Sequence, residues 1–303
     1  MRVLITGGSG FVGRRLCERL LARGDRVDVV SRSPSKAART LPGECQVRDS
    51  AMGSIETPPE AIVNLAGESI AGKRWSETQK KRLLASRVEA TTTLVEFCRA
   101  IEKTGKPLPT VMVSGSAMGY YGDQGSRVVD EQTPPHAEFA HRLCAQWEAA
   151  AEPVTALGVR LALLRTGLVL DADGGTLAKM LPPFKFGLGG RFGDGRQFMP
   201  WVHRDDLVEA ILYLIDQPSL EGPFNGSAPH PVTNAEFTRT LARQLHRPAL
   251  FPVPAFALKA GLGEMSRLLL TGADMRPARL QGAGFDFRYP TLEDALKEIL
   301  ADA

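Results

Sequence analysis

The chain opens Met1-Arg2-Val3-Leu4-Ile5-Thr6-Gly7-Gly8-Ser9-Gly10-Phe11-Val12-Gly13, a short apolar run that passes directly into glycines three residues apart. That junction constrains the fold more than any other stretch. A strand ending on Gly7 can turn through positive φ, Gly10 sets no Cβ against an approaching phosphate, and Gly13 lets the next helix pack closely on the strand. The helix predicted from Phe11 to about Arg23 points its unpaired first amides and the positive end of its dipole at the turn. A second strand over Arg26 to Val30 completes a βαβ unit of suitable length. The expected ligand is the pyrophosphate of a dinucleotide, held by Gly7, Ser9, Gly10, Phe11, Val12 and Gly13.

Short apolar runs recur at Cys45 to Val47, Ala61 to Leu65, Thr110 to Val113 and Arg160 to Leu164, with helical stretches between them. Strands and helices alternating in this way predict an α/β fold: a doubly wound, parallel-sheet Rossmann domain. The clearest helix runs from Ser76 to Lys103, where Leu83, Leu84, Val88, Thr91, Leu94, Val95, Cys98 and Ile101 form one stripe behind an N-cap serine. Another covers Ala137 to Leu157 and stops at Gly158. After Arg165 the pattern changes. Residues 171–202 are rich in Gly, Pro, Phe and Arg with little periodicity, as in a substrate lobe or lid. The chain returns to the sheet through a helix from Asp205 to Asp216 and a strand near Phe224. Helices follow over Asn234 to Leu245, Pro254 to Leu270 and Leu292 to Ala301. The expected organisation is a dinucleotide-binding domain over 1–170, completed by about 203–227, and a smaller, mostly helical substrate lobe from 171–202 and 228–303.

With 43% hydrophobic and 23% charged residues and a net charge of +3, the chain reads as an ordinary globular protein. The charge is too slight to predict a nucleic-acid surface, and no apolar run is long enough to span a membrane or resembles a cleaved leader. The expectation is a cytoplasmic protein whose partner is a small-molecule substrate, without nucleic acid or membrane. Cys17, Cys45, Cys98 and Cys144 are scattered, and His136 and His141 stand five apart, so no metal site is expected. In Trp201-Val202-His203-Arg204-Asp205-Asp206, His203 reads as a buried hydrogen-bonding residue and Asp205 as the opening of a helix.

The second strand ends in Ser31-Arg32, with Lys36 one turn further on. No acidic group stands there to hold a ribose diol, whereas Arg32, Lys36 and Ser31 suit a 2′-phosphate, so the expected cofactor is NADP(H). The fourth strand delivers Asn64-Leu65-Ala66-Gly67 and the fifth Ser114-Gly115-Ser116, both to the sheet edge where ligands of doubly wound folds bind. Arg191, Arg196 and Gln197, set among glycines, are candidates for an anionic part of a substrate, or are solvated loop residues.

The motifs Asn64-Leu65-Ala66-Gly67-Glu68, Gly119-Tyr120-Tyr121-Gly122, Trp147-Glu148, Arg165-Thr166-Gly167 and Gly284-Phe285-x-Phe287, with the glycine turn, resemble the epimerase-like subgroup of extended and atypical short-chain dehydrogenase/reductases. The resemblance covers nearly the whole chain. It implies an NADP-binding Rossmann domain with a small C-terminal lobe, and adds Ser114 and Arg165 to the cofactor-binding set. It also implies a serine, tyrosine and lysine for catalysis, the last two as Tyr-x-x-x-Lys on the helix after the fifth strand. That helix reads Phe139-Ala140-His141-Arg142-Leu143-Cys144-Ala145-Gln146-Trp147-Glu148, without phenol or ammonium. Two accounts stand. In one, Ser116 holds a carbonyl and Tyr120 or Tyr121 supplies the proton, with Glu68, His141 or His203 as relay, Glu68 and His203 also standing with Arg191, Arg196 and Gln197 among the substrate-binding candidates, giving an oxidoreductase or epimerase. In the other, the chain holds NADP(H) as a sensor or regulator without turnover. The helices from Ser76 and Ala137 resemble those that pair in dimeric relatives, which makes a homodimer an open expectation.

Overall fold

A computed structural model describes residues 1–301. The strands, in chain order, are β1 (Arg2–Thr6), β2 (Arg26–Val30), β3 (Gln46–Arg48), β4 (Ala61–Asn64), β5 (Val111–Ala117), β6 (Val128–Val129), β7 (Arg160–Thr166), β8 (Leu168–Asp171), β9 (Phe198–Met199), β10 (Trp201–His203), β11 (Gly222–Gly226), β12 (Val232–Thr233) and β13 (Asp274–Met275). Seven form one sheet in the order β11-β7-β5-β4-β1-β2-β3, with every pairing parallel. The order reverses between β1 and β4, which opens the crevice in which doubly wound folds hold ligands.

Alternation along the strands divides the core between two faces. Val3, Ile5, Val27 and Val29 pack with Leu16 and Leu20 of α1 (Phe11–Ala22) and with Leu207 and Ile211 of the Arg204–Asp216 helix. Leu4, Ile62 and Met112 pack on the other face against Leu94, Phe97 and Ile101 of the Glu77–Lys103 helix. With the short α2 (Pro34–Ala38) between, these helices are α3 (Glu77–Lys103), then α4 (Phe139–Ala151), α5 (Gly175–Lys185), α6 (Arg204–Asp216), α7 (Asn234–Gln244) and α8 (Ala255–Leu262). A second core joins α5, α7 and the last helix, Leu292–Ile299, around Trp201 and Phe237.

Several boundaries differ from expectation for identifiable reasons. The helix expected to run to Leu157 leaves α geometry at Ala151, and Glu152–Leu157 tightens to 3-10 with Pro153 in its first turn. The single helix expected over Pro254 to Leu270 is interrupted at Gly263, whose φ is 60°. Residues 171–202 contain a full helix, α5. Its buried Leu177, Met180, Leu181 and Phe184 have helical spacing, masked in the sequence by Pro182 and Pro183 in the last turns.

Candidate functional site

The glycine turn has the form its spacing predicts. Gly7 sits at φ 75°, and a Cβ there would lie 2.5 Å from the Leu65 carbonyl oxygen. A Cβ on Gly13 would fall 2.3 Å from the Gly7 oxygen, so neither position has room for a side chain. The Gly10 amide donates to that same oxygen at 2.9 Å. Gly10 is the N-cap of α1, with no side-chain cap and no acid in the first turn, leaving the helix start open to an anion. Ser9 is exposed and Phe11 and Val12 are half-buried. The Phe11 ring supports the start of α5: a Cβ on Gly174 would meet it at 2.6 Å, and Arg204 lies 5.1 Å above it. The lobe therefore rests on the turn.

Beyond β2, the Ser31 amide donates to the Arg48 oxygen at 2.9 Å and the Ser31 hydroxyl accepts from the Ser33 amide at 3.2 Å. Arg32 and Lys36 are exposed, and neither forms an ion pair among the described residues. Beside them Arg48 keeps a buried Nε without a partner, a feature that sequence inspection does not reveal.

Asn64 and Ser114 are wholly buried and act on the strand ends instead of facing a ligand. The Asn64 Oδ1 accepts from Thr6 Oγ1 at 2.7 Å, and its Nδ2 donates to Thr91 Oγ1 at 2.8 Å and Ser114 Oγ at 3.2 Å. This ties β1, β4, β5 and α3 together below the loop formed by Leu65, Ala66, Gly67 and Glu68. Leu65 and Ala66 are half-buried and Gly67 is exposed in the cleft wall. Glu68 accepts from Gln79 Nε2 at 2.9 Å. Arg87 of α3 underlies the loop: it donates to the Glu68 oxygen and the Leu83 oxygen, both at 2.9 Å, and lies 5.1 Å from the Trp147 ring. Only 9% exposed and without a carboxylate partner among the described residues, its guanidinium has its pKa pulled down by burial. In the sequence it is one more charge on a long helix.

The catalytic and cofactor expectations need correction around β5 and β7. Ser116 is 4% exposed, and its hydroxyl donates to Glu148 Oε1 at 2.6 Å. Arg165 is buried and donates to both Glu148 oxygens at 2.9 Å and to the Tyr121 hydroxyl at 3.1 Å. Tyr121 donates in turn to Asn225 Oδ1 at 2.7 Å. Arg165 is thus committed to the scaffold and not to the cofactor cleft. Tyr121 has no exposure and its hydroxyl is held between Asn225 and Arg165, so it does not reach a substrate; burial also pushes its phenol up to about 12. Tyr120 is half-buried, with the Arg165 guanidinium 3.4 Å from its ring centroid and the His141 ring 5.3 Å away. His141 Nδ1 lies 2.7 Å from the Tyr120 carbonyl, which fixes the proton on Nδ1 and leaves Nε2 as the acceptor in the neutral ring.

The lobe candidates separate. Arg191 and Arg196 are exposed, whereas Gln197 donates to the Phe192 and Leu269 oxygens at 3.1 and 2.6 Å and staples the loop. His203 is 2% exposed and caps α6: its Nδ1 accepts from the Asp205 amide at 3.1 Å, and Nε2 donates to Glu298 at 2.9 Å. This removes it from the substrate set. The helix opens at Arg204 with Asp205 in its first turn, one residue from the expected start, and Asp205 also takes Arg15 in a two-pronged pair at 2.7 Å. No cluster able to hold a metal occurs among the described residues.

The model of the NAD dependent epimerase/dehydratase family matches residues 3–225, and that of a domain of unknown function, DUF1731, matches residues 253–299. "Epimerase family protein SDR39U1 homolog, chloroplastic" from Arabidopsis thaliana is 40% identical over 305 residues, covering 99% of this chain and 87% of that protein. The crystal structure of human epimerase family protein SDR39U1 (isoform2) with NADPH matches at a TM-score of 0.87 and 36% identity, over 100% of both chains. The UDP-glucose 4-epimerase of Thermus thermophilus, in complex with NAD, matches at a TM-score of 0.78 over 100% of both chains, and at 21% identity that likeness shows the fold alone.

Proposed function

The chain belongs to the NAD dependent epimerase/dehydratase family, and from that premise we propose that it binds NADP(H) and acts as an oxidoreductase or epimerase on a small carbonyl compound or sugar nucleotide. The observation that carries the cofactor reading is the end of β2, where exposed Arg32 and Lys36, unpaired among the described residues, follow Ser31 and no carboxylate intervenes in the sequence. The side-chain-free turn at Gly7 and Gly13 supplies the pyrophosphate seat, and the NADPH held by the human relative agrees with it. Bound, the cofactor would supply a hydride donor or acceptor.

The chain's own part is to orient and to move a proton. Asn64 steadies the Leu65 to Glu68 loop against the cofactor, and Tyr120 is the phenol left for proton transfer once Tyr121 is committed to Asn225. His141 and Arg165 fix the position of Tyr120 through its carbonyl and its ring. A second reading, a cofactor-binding sensor without turnover, is favoured by one feature: the Ser116 hydroxyl is already donated to Glu148.

Titrating NADPH and NADH against wild type and Arg32→Ala tests the cofactor reading. A charge-assisted phosphate contact is worth about 1.5–3 kcal/mol, so NADPH affinity should fall by roughly ten- to a hundredfold while NADH is unaffected. Equal losses for both nucleotides would overturn it. Turnover of a carbonyl panel that survives in Tyr121→Phe but not in Tyr120→Phe would support the enzyme. NADPH retained but never oxidised by any of the panel would support the sensor.

A further inference from the structure

The five most exposed large apolar side chains among the described residues all lie on one edge of the lobe: Phe186 (81% exposed), Phe256 (75%), Leu250 (74%), Leu188 (61%) and Phe251 (57%). They come from two segments lying side by side. Leu188 bridges Ala249, the Phe251 amide donates to the Gly189 oxygen at 3.3 Å, and the Val253 amide donates to the Arg191 oxygen at 2.9 Å. Helix α8, which carries Phe256, begins two residues beyond Val253. Apolar side chains this exposed and this clustered mark an interaction surface.

The charge on the same segments identifies what it meets. Residues 174–193 contain Lys179, Lys185 and Arg191, and residues 237–263 contain Arg239, Arg243, Arg247 and Lys259, with no Asp or Glu inside either stretch and Asp173, Asp194, Glu236 and Glu264 directly at their ends. All seven cations are exposed, and among the described residues only Arg243 has a carboxylate partner, Glu293 at 3.0 Å. Even with the four flanking acids counted, the two stretches carry a net charge of +3, equal to that of the whole chain. Pro182, Pro183, Pro248, Pro252 and Pro254 stiffen the segments that present the rings. Phenylalanine and leucine tips on segments that also carry Lys185, Arg191, Arg247 and Lys259 match the boundary of an anionic bilayer, whose acyl chains take the rings and whose phosphates take the cations.

We propose that this edge of the lobe is a peripheral docking surface for an anionic phospholipid bilayer. The sequence-based expectation of no membrane rests on the absence of a spanning segment, which a peripheral surface does not need. The proposal is independent of the cofactor reading, because none of its exposed side chains belongs to the glycine turn or the end of β2.

Co-sedimentation of the full chain with vesicles tests it, using phosphatidylcholine alone and an equal mixture of phosphatidylcholine and phosphatidylglycerol. Binding to the mixed vesicles, weakened by salt, is expected. The double variants Phe186→Ser/Phe256→Ser and Lys185→Glu/Arg247→Glu should each partition about tenfold less or worse, with wild-type melting temperature and NADPH titration showing that the fold is intact. No binding to mixed vesicles, or equal binding to neutral ones, overturns the proposal. So does light scattering that finds a wild-type dimer made monomeric by the apolar variant, which would make the edge an interface between copies.

Discussion

Glu148→Gln probes the buried network at the ends of β5 and β7. The substitution keeps the shape of the side chain and an oxygen for Ser116, but removes the negative charge that Arg165 meets through two contacts of 2.9 Å. Arg165 is only 4% exposed, so water cannot replace what is lost. Breaking a buried pair from one side costs about 3–5 kcal/mol, and the hydrogen bonds that Gln retains favour the lower end. At roughly 2 °C per kcal/mol for a large chain, the melting temperature should fall by about 6–10 °C. The Glu148→Leu/Arg165→Met double variant should regain most of that loss, because it leaves no unpaired charge behind. Thermal melts of the single and double variants, with NADPH affinity measured alongside, decide the matter. A melting temperature within about 2 °C of wild type, combined with a large loss of NADPH affinity, would return Arg165 to the cofactor cleft and refute the scaffold assignment.

Gly13→Ala places a methyl group 2.3 Å from the Gly7 oxygen, so calorimetric NADPH binding should disappear and stability should drop, and a variant that binds normally would contradict the seat described at the turn. Asn64→Ala leaves Thr6, Thr91 and Ser114 without their shared partner and should cost about 1–3 kcal/mol in urea unfolding; a neutral result would show that water fills the gap. Asp206 accepts the amides of Arg288 and Tyr289, yet burial holds its carboxyl above the ordinary aspartate value near 3.9. A raised folded pKa means that its stabilising contribution is full below the unfolded pKa and is lost as pH rises through the folded one. The stability of wild type relative to Asp206→Asn should therefore decline as pH rises above about 4, and a rise would refute the sign.

What the sequence discloses follows the range of the interactions involved. The glycine turn was legible because its chemistry is written within thirteen consecutive residues, and the parallel sheet because strand and helix alternate with distinct periods. The network of Ser116, Glu148, Arg165, Tyr121 and Asn225 was not, since its partners stand 17 to 104 positions apart and become neighbours only through β5, β7, α4 and β11. Tyr121 consequently reads as a loop phenol free to titrate, when its hydroxyl is sealed between Arg165 and Asn225. His203 likewise looks poised for chemistry until both ring nitrogens are found engaged. Arg87 is the opposite case: that it is buried without a carboxylate partner among the described residues becomes apparent only in the fold.

Phe11 begins the helix that faces the dinucleotide, and its ring also bears the glycines from which α5 departs. The two halves of the molecule accordingly meet on this ring as well as through the contacts of α6. Anyone reshaping the outer lobe for a new substrate would have to keep that aromatic contact in place, because exchanging it would disturb the coenzyme's seat and the lobe's footing in the same stroke.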